Sequence, residues 1–126
     1  TLSSSSAASD VYKRQPLNDA AETLAIKTLF AEREHYRRLL VTANKSQFGH
    51  LIAAAGAPEF MLTALACRDD RVTPTLNLQD ADEQCDLDYC AHQAVKRKVD
   101  VALSNSFGFG GLNTSLALGK YREAPR

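Results

Sequence analysis

The sequence predicts an α/β domain: a mixed sheet, helices packed against it, and a C-terminal β-hairpin. Three observations carry this. Apolar residues recur at helical spacing in two stretches, at Ile26, Leu29 and Phe30 and again at Phe60, Leu62, Leu65 and Ala66. Between them stands Leu39-Leu40-Val41, a short apolar run that reads as a buried strand. Last, Val99, Val101 and Leu103 alternate with Asp100, Ala102 and Ser104, a glycine-rich turn follows, and residues 113–118 alternate again, so the two runs form a hairpin.

In chain order, residues 1–15 differ from the rest. They hold a homopolymer run, Ser3 to Ser6, followed by Ala7-Ala8-Ser9. Such a stretch has little to bury and is expected to be a disordered or non-native leader, similar to the translated adaptor sequence at the ends of assembled gene fragments. Residues 16–126 read as the folded unit. Asp19 and Glu22 have capping-box spacing and predict a helix from there to about Glu34. A basic turn with His35, Arg37 and Arg38 leads into the strand. Residues 44–49 are a polar loop, and His50 opens a second helix that runs to about Cys67. Its first half, Ala53-Ala54-Ala55-Gly56-Ala57, is small, and Pro58 predicts a kink. Residues 72–78, with Pro74, read as an extended edge segment. An acidic loop (Asp80, Asp82, Glu83, Asp86, Asp88) precedes Lys96-Arg97-Lys98, and both read as solvated surface.

Composition removes several function classes. Fifteen Lys and Arg balance fifteen Asp and Glu, so the chain lacks the basic excess of a nucleic-acid-binding domain. The apolar stretch at 51–57 is far shorter than the ~18 residues of a membrane span, and no membrane partner is expected. Three cysteines, Cys67, Cys85 and Cys90, are too few for a disulfide framework and read as thiols in a reducing compartment, the cytoplasm. None suits a nucleophile: Cys67 sits among apolar residues, and acidic neighbours of Cys85 and Cys90 disfavour the thiolate. Cys85, Cys90 and His92 fit no common zinc spacing and lack a fourth ligand, so no metal is expected.

Three features could carry chemistry. In Asn44-Lys45-Ser46-Gln47-Phe48-Gly49-His50, a histidine in the first turn of a helix would feel the positive end of the macrodipole, which favours the neutral imidazole, and Lys45 pushes the same way. A neutral imidazole can donate a hydrogen bond to a developing oxyanion. The turn Gly108-Phe109-Gly110-Gly111 can present backbone N–H groups to an oxyanion, and its glycines allow a ligand to approach closely. Glu59 follows His50 on the same predicted helix; alone it would be an ordinary surface carboxylate.

Taken together and in order, these motifs resemble a known family. The set is Asn44-Lys45-Ser46-x-x-Gly49-His50-Leu51, Ala54-Ala55-Gly56-Ala57-x-Glu59, Pro74-Thr75-Leu76-Asn77-Leu78, Cys85-Asp86-Leu87-Asp88-Tyr89 and Leu103-Ser104-Asn105-Ser106-Phe107-Gly108-Phe109-Gly110-Gly111-x-Asn113. It is similar to the C-terminal part of the β-ketoacyl-acyl-carrier-protein synthases, the type II elongating condensing enzymes, from Pro16 to Tyr121.

The resemblance implies a partial thiolase-like fold, a homodimer, no cofactor, and decarboxylative Claisen condensation on acyl-carrier-protein thioesters. It implies that His50 is one of two catalytic histidines, stabilising the enolate, and that Lys45 holds its charge network. Glu59 would be a buried supporting carboxylate. The Phe109 amide would be an oxyanion donor and its ring the acyl-pocket gate, flanked by Phe107, Gly108 and Gly110, with Asn105 supporting them. Asp19 and Glu22 match an acidic pair of structural type. The family's nucleophilic cysteine is absent, and the place of its other histidine, just before Pro16, is taken by Ser9-Asp10-Val11-Tyr12-Lys13-Arg14-Gln15. Phe48 and Leu112 each replace a usual threonine. The expectation is a C-terminal fragment that is inactive alone. The alternative is a non-catalytic chain-length-determining subunit of the same fold. A domain of a larger modular synthase is a third reading.

Overall fold

The computed structural model describes residues 2–5, 15–108 and 111–122. Helix α1 (Gln15–Leu29) is followed by a 3-10 stretch (Glu32–Arg38), strand β2 (Val41–Thr42), a one-turn helix α2 (Lys45–Phe48), a 3-10 turn (Ile52–Ala54) and helix α3 (Gly56–Asp69). Strands β3 (Arg71–Val72) and β4 (Val95–Lys96) pair antiparallel as a small separate ribbon. Strands β5 (Val101–Phe107) and β6 (Asn113–Gly119) form the expected hairpin, in register from Val101 opposite Gly119 to Phe107 opposite Asn113. The fold is the mixed α/β arrangement expected.

The main sheet has an unexpected centre. Leu2–Ser5 is a strand, β1, and the sheet order is β2-β1-β5-β6. It runs parallel to both neighbours. These four residues belong to the stretch expected to be a disordered or non-native leader; residues 6–14 lie outside the described ones. Strand β1 forms because β2 and β5 each present a row of backbone donors and acceptors, which an extended segment satisfies whatever its side chains.

Three further boundaries differ from expectation. Helix α1 begins at Gln15 rather than at the Asp19–Glu22 box, which therefore lies inside the helix, where the Asp19 carbonyl accepts from Thr23 Oγ1 at 2.8 Å. It ends at Leu29, short of Glu34. The second long helix starts at Gly56, not at His50, so His50 sits in no helical first turn. Pro58 is then the third residue of α3. Its missing N–H is one of those a helix start leaves without an intrahelical partner, so it makes no kink.

Two apolar clusters fill the interior. Leu40, Cys67, Val72, Cys90, Val99 and Ala102 bind the end of α3 to β5 and the ribbon. Ile26 and Val41 join α1 to β2, with Phe30, Leu87, Tyr89 and Leu103 around them. Asp70, left-handed at φ 53°, staples the end of α3: its carboxylate accepts from Val99 N–H (2.9 Å) and Lys120 Nζ (2.7 Å). Large apolar residues stay exposed along the 51–65 segment, among them Leu51, Ile52, Phe60, Met61 and Leu65. Among the described residues no helix is long and apolar enough to cross a membrane.

Candidate functional site

The parallel directions of β2 and β5 bring their carboxyl ends to one end of the sheet. This end is the usual place for a site in open α/β sheets. Strand β2 leads directly into Asn44 and Lys45; β5 ends at Phe107 and Gly108. Helix α3 begins beside the same end, because a Cβ placed on Gly56 would lie 3.8 Å from Ser106 Oγ.

Residues 43–47 are sewn to 73–76. Thr73 Oγ1 donates to the buried Asn44 Oδ1 (2.6 Å), Ala43 N–H to Thr75 Oγ1 (3.0 Å), Leu76 N–H to Ser46 Oγ (2.9 Å) and Gln47 Nε2 to the Pro74 carbonyl (2.8 Å). Two of the sequence motifs are therefore each other's scaffold. Sequence reading missed this role of Thr73 and Thr75; only the recurrence of small hydroxyl residues around Pro74 hinted at it.

The scaffold aims Lys45 at Glu59, and the two form a short charge-assisted hydrogen bond through Oε1. Glu59 is 1% exposed, so it is no surface carboxylate. Its Oε2 is buried without a hydrogen-bond partner among the described residues. Taking two charges out of water costs several kcal/mol per ion before their attraction offsets it. A pair of this kind is costly for the fold, and such pairs concentrate at functional sites.

His50 occupies the exposed loop after Gly49, whose φ of 76° suits glycine. Its Nδ1 accepts the Ile52 N–H at 2.8 Å. With Nδ1 accepting, Nε2 is the nitrogen left to donate. The expected helix macrodipole is absent at His50; a local backbone hydrogen bond orients the ring instead. Ile52 has φ 52°, and a positive φ on a β-branched residue is strained.

Of the remaining expected residues, Phe107 is half-buried at the end of β5, and Gly108 donates its N–H to the Leu112 carbonyl at 2.7 Å, closing the turn. Asn105 Oδ1 accepts from Ser115 Oγ at 2.7 Å across the hairpin. Phe109 and Gly110 lie outside the described residues. Two cavities adjoin this end. One, of about 290 Å³, is lined by Lys45, Asp19, Glu22, Ile26, Val41, Cys85 and Tyr89 among others. The other, a more open cleft, is lined by Phe107, Gly108, Asn113, Asn18 and Glu22 among others. The acidic pair thus borders the site, and Glu22 lines both cavities. Tyr89 closes the first: its hydroxyl meets Thr23 Oγ1 at 2.6 Å, and burial pushes its pKa up to about 12.

Two of the three cysteines are buried thiols. Burial pushes the Cys90 thiol up to about 11 and raises that of Cys67 too. All three are free. Among the described residues no three His, Cys, Asp or Glu side chains come together as a metal site.

Comparison with known proteins matches the C-terminal domain of beta-ketoacyl synthase over residues 15–79. A Synechocystis sp. protein named 3-oxoacyl-[acyl-carrier-protein] synthase 2 is 47% identical over 107 residues, 85% of this chain and 25% of its own length. A Rhizobium meliloti protein of the same name is 50% identical over 84 residues, 67% of this chain and 20% of its own length. Among solved structures, a beta-ketoacyl synthase from Burkholderia phymatum superposes with TM-score 0.72 at 36% identity, covering 82% of this chain and 24% of the other. The ketosynthase in a type II polyketide complex, AntDE:AntF, described as bound to its acyl-carrier protein and a hexaketide, gives 0.75 at 33%, covering 79% and 24%. The chain spans about a quarter of the length of the curated relatives it matches.

Proposed function

We propose, from the premise that the chain belongs to the β-ketoacyl synthase family, that it supplies the C-terminal quarter of a 3-oxoacyl-carrier-protein synthase. The whole enzyme would be an acyltransferase that lengthens a carrier-bound acyl chain by decarboxylative Claisen condensation with malonyl-carrier protein, in fatty-acid or polyketide synthesis.

The single observation that carries this reading is the hydrogen bond from Ile52 N–H to His50 Nδ1. With Nδ1 engaged by Ile52, the exposed ring has one function left, donation from Nε2. Loss of CO2 from a malonyl thioester moves an electron pair onto the thioester carbonyl oxygen. A neutral N–H donor at that oxygen stabilises the enolate without protonating it. Lys45, fixed by Glu59, adds positive charge to the same end of the sheet. The turn after Phe107, with Gly108, Phe109 and Gly110, would hold the tetrahedral oxyanion of the bond-forming step, and Asn105 would brace the strand beneath it.

The nucleophilic cysteine and the other histidine must come from elsewhere in the parent protein, since the three thiols here are unsuited. The chain alone is therefore inactive. The parent works as a homodimer in the cytoplasm, takes acyl-carrier protein as partner, and needs no cofactor, nucleic acid or membrane. Supporting the partner is the AntDE:AntF complex, in which an acyl-carrier protein is bound to its ketosynthase.

The test is a chimera in which residues 15–122 replace the matching quarter of the Synechocystis sp. synthase. Malonyl-carrier decarboxylation and condensation are expected, and His50→Ala should lower decarboxylation by about 10²–10³-fold, the usual cost of one oxyanion donor. A folded, dimeric chimera without condensing activity would overturn the enzyme reading in favour of the chain-length-determining subunit.

A further inference from the structure

Strand β6 is the outer edge of the main sheet, whose order ends in β5-β6. The hairpin's own hydrogen bonds fix which way each of its residues faces. Gly108 N–H donates to the Leu112 carbonyl at one end, and Lys120 N–H to the Asp100 carbonyl at the other. The register between them is unbroken, with Leu116 opposite Ser104. Hydrogen-bonded positions alternate along an antiparallel pair, so Thr114, Leu116 and Leu118 turn their backbone groups towards β5. Asn113, Ser115, Ala117 and Gly119 turn theirs outward, where among the described residues no strand meets them. Natural edges are blunted by charge, proline, a bulge or a cover. Residues Asn113–Gly119 carry no charge and no proline, keep register without a bulge, and are exposed except for the half-buried Leu118.

We propose that this edge is an interface for a second copy of the chain, with β6 pairing antiparallel to its counterpart about a two-fold axis at Leu116. A two-fold interface has to be self-complementary, and this strand meets that condition. With the axis at Leu116, Ser115 stands opposite Ala117 of the second copy and Asn113 opposite Gly119. All four outward residues then exchange backbone hydrogen bonds, about eight in all. Leu116, 53% exposed, meets its own counterpart at a non-hydrogen-bonded position, where facing side chains come closest. No like charges are opposed, because the strand has none. The pairing also reaches the candidate site. Asn113 lines the open cleft with Phe107 and Gly108, so the end of the second copy's strand borders that cleft. The inference is independent of the proposed reaction, since it rests on the hairpin alone.

The experiment uses the whole chain. Sedimentation velocity at micromolar concentrations is expected to show a dimer. Ala117→Pro removes one outward N–H and none that β5 uses, and an edge position whose N–H faces outward tolerates proline. This variant should sediment as a monomer with unaltered far-ultraviolet circular dichroism. An unaltered chain that stays monomeric, or a folded Ala117→Pro variant that stays dimeric, would overturn the proposal. Should the variant unfold, cross-linking decides. Cys67 and Cys90 are buried, so Cys85→Ser leaves no exposed thiol. In that background Leu116→Cys sets the two introduced thiols on residues with Cα atoms about 4.5 Å apart, within disulfide reach. Mild oxidation should give a covalent dimer with Leu116→Cys and none with Thr114→Cys. Equal cross-linking of both, or none at Leu116, refutes the interface.

Discussion

Ile52 donates its backbone N–H to Nδ1 of His50 at 2.8 Å, two residues back along the chain. The donor sits at a strained φ of 52°, and it is the N–H it presents, not the strain itself, that occupies Nδ1. At neutral pH, nitrogen-15 spectra should show His50 as the Nε2–H tautomer. Ile52→Gly, which relieves the strain and keeps the N–H, should retain it. Ile52→Pro removes the donor and should yield a mixed tautomer population.

Lys45 and Glu59 form a pair in which breaking one half costs more than removing both. Lys45→Met leaves a buried carboxylate unpaired and should destabilise by about 3–5 kcal/mol in urea unfolding. Adding Glu59→Leu should recover a large part of that loss. Additive losses in the double variant would show that the two side chains are not coupled.

The Cys90 thiol predicts alkaline sensitivity. Below about pH 9 it is protonated in both folded and unfolded chains, so pH has no leverage. As pH rises from there the unfolded thiol ionises first, and stability falls until the folded thiol follows at about 11. Cys90→Ala should lower stability overall through lost packing, yet flatten that part of the pH profile. An unchanged slope would assign the sensitivity to another group, Tyr89 first.

Asp70 predicts the opposite flank. The Lys120 ammonium, then the Val99 N–H, hold its carboxyl below the usual carboxylate range. Its contribution is present at neutral pH and is lost as pH falls through that lowered value. Asp70→Asn keeps a residue tolerant of the left-handed conformation and should reduce the acid-side slope of stability in a pH series of thermal melts.

Much of this was legible in sequence. Alternation at Val99, Val101 and Leu103 gave the hairpin because period two is a local signal. Leu40 and Val41 read as buried strand because a short continuous apolar run is a local signal too. The helix starts were misread where tertiary partners decide: Asp19–Glu22 looked like a cap, yet the helix begins upstream at Gln15. His50 looked helical, although Gly49 at positive φ breaks the chain there. The motifs named Lys45, His50 and Glu59, and the structure joins the first to the third. That Glu59 is buried could not be read from one carboxylate on a helix of weak amphipathic pattern.

The stitching of residues 43–47 to 73–76 has a consequence in time. Lys45 is aimed by hydrogen bonds to a segment about thirty residues further on. A growing chain that has just released Lys45 from the ribosome holds a lysine without a direction. Only after Leu76 has emerged can the loop close, and closing a loop of that length is a long-range event that follows local helix formation. The charge centre of this sheet is therefore assembled after the helix that carries Glu59, and the buried carboxylate waits for its cation.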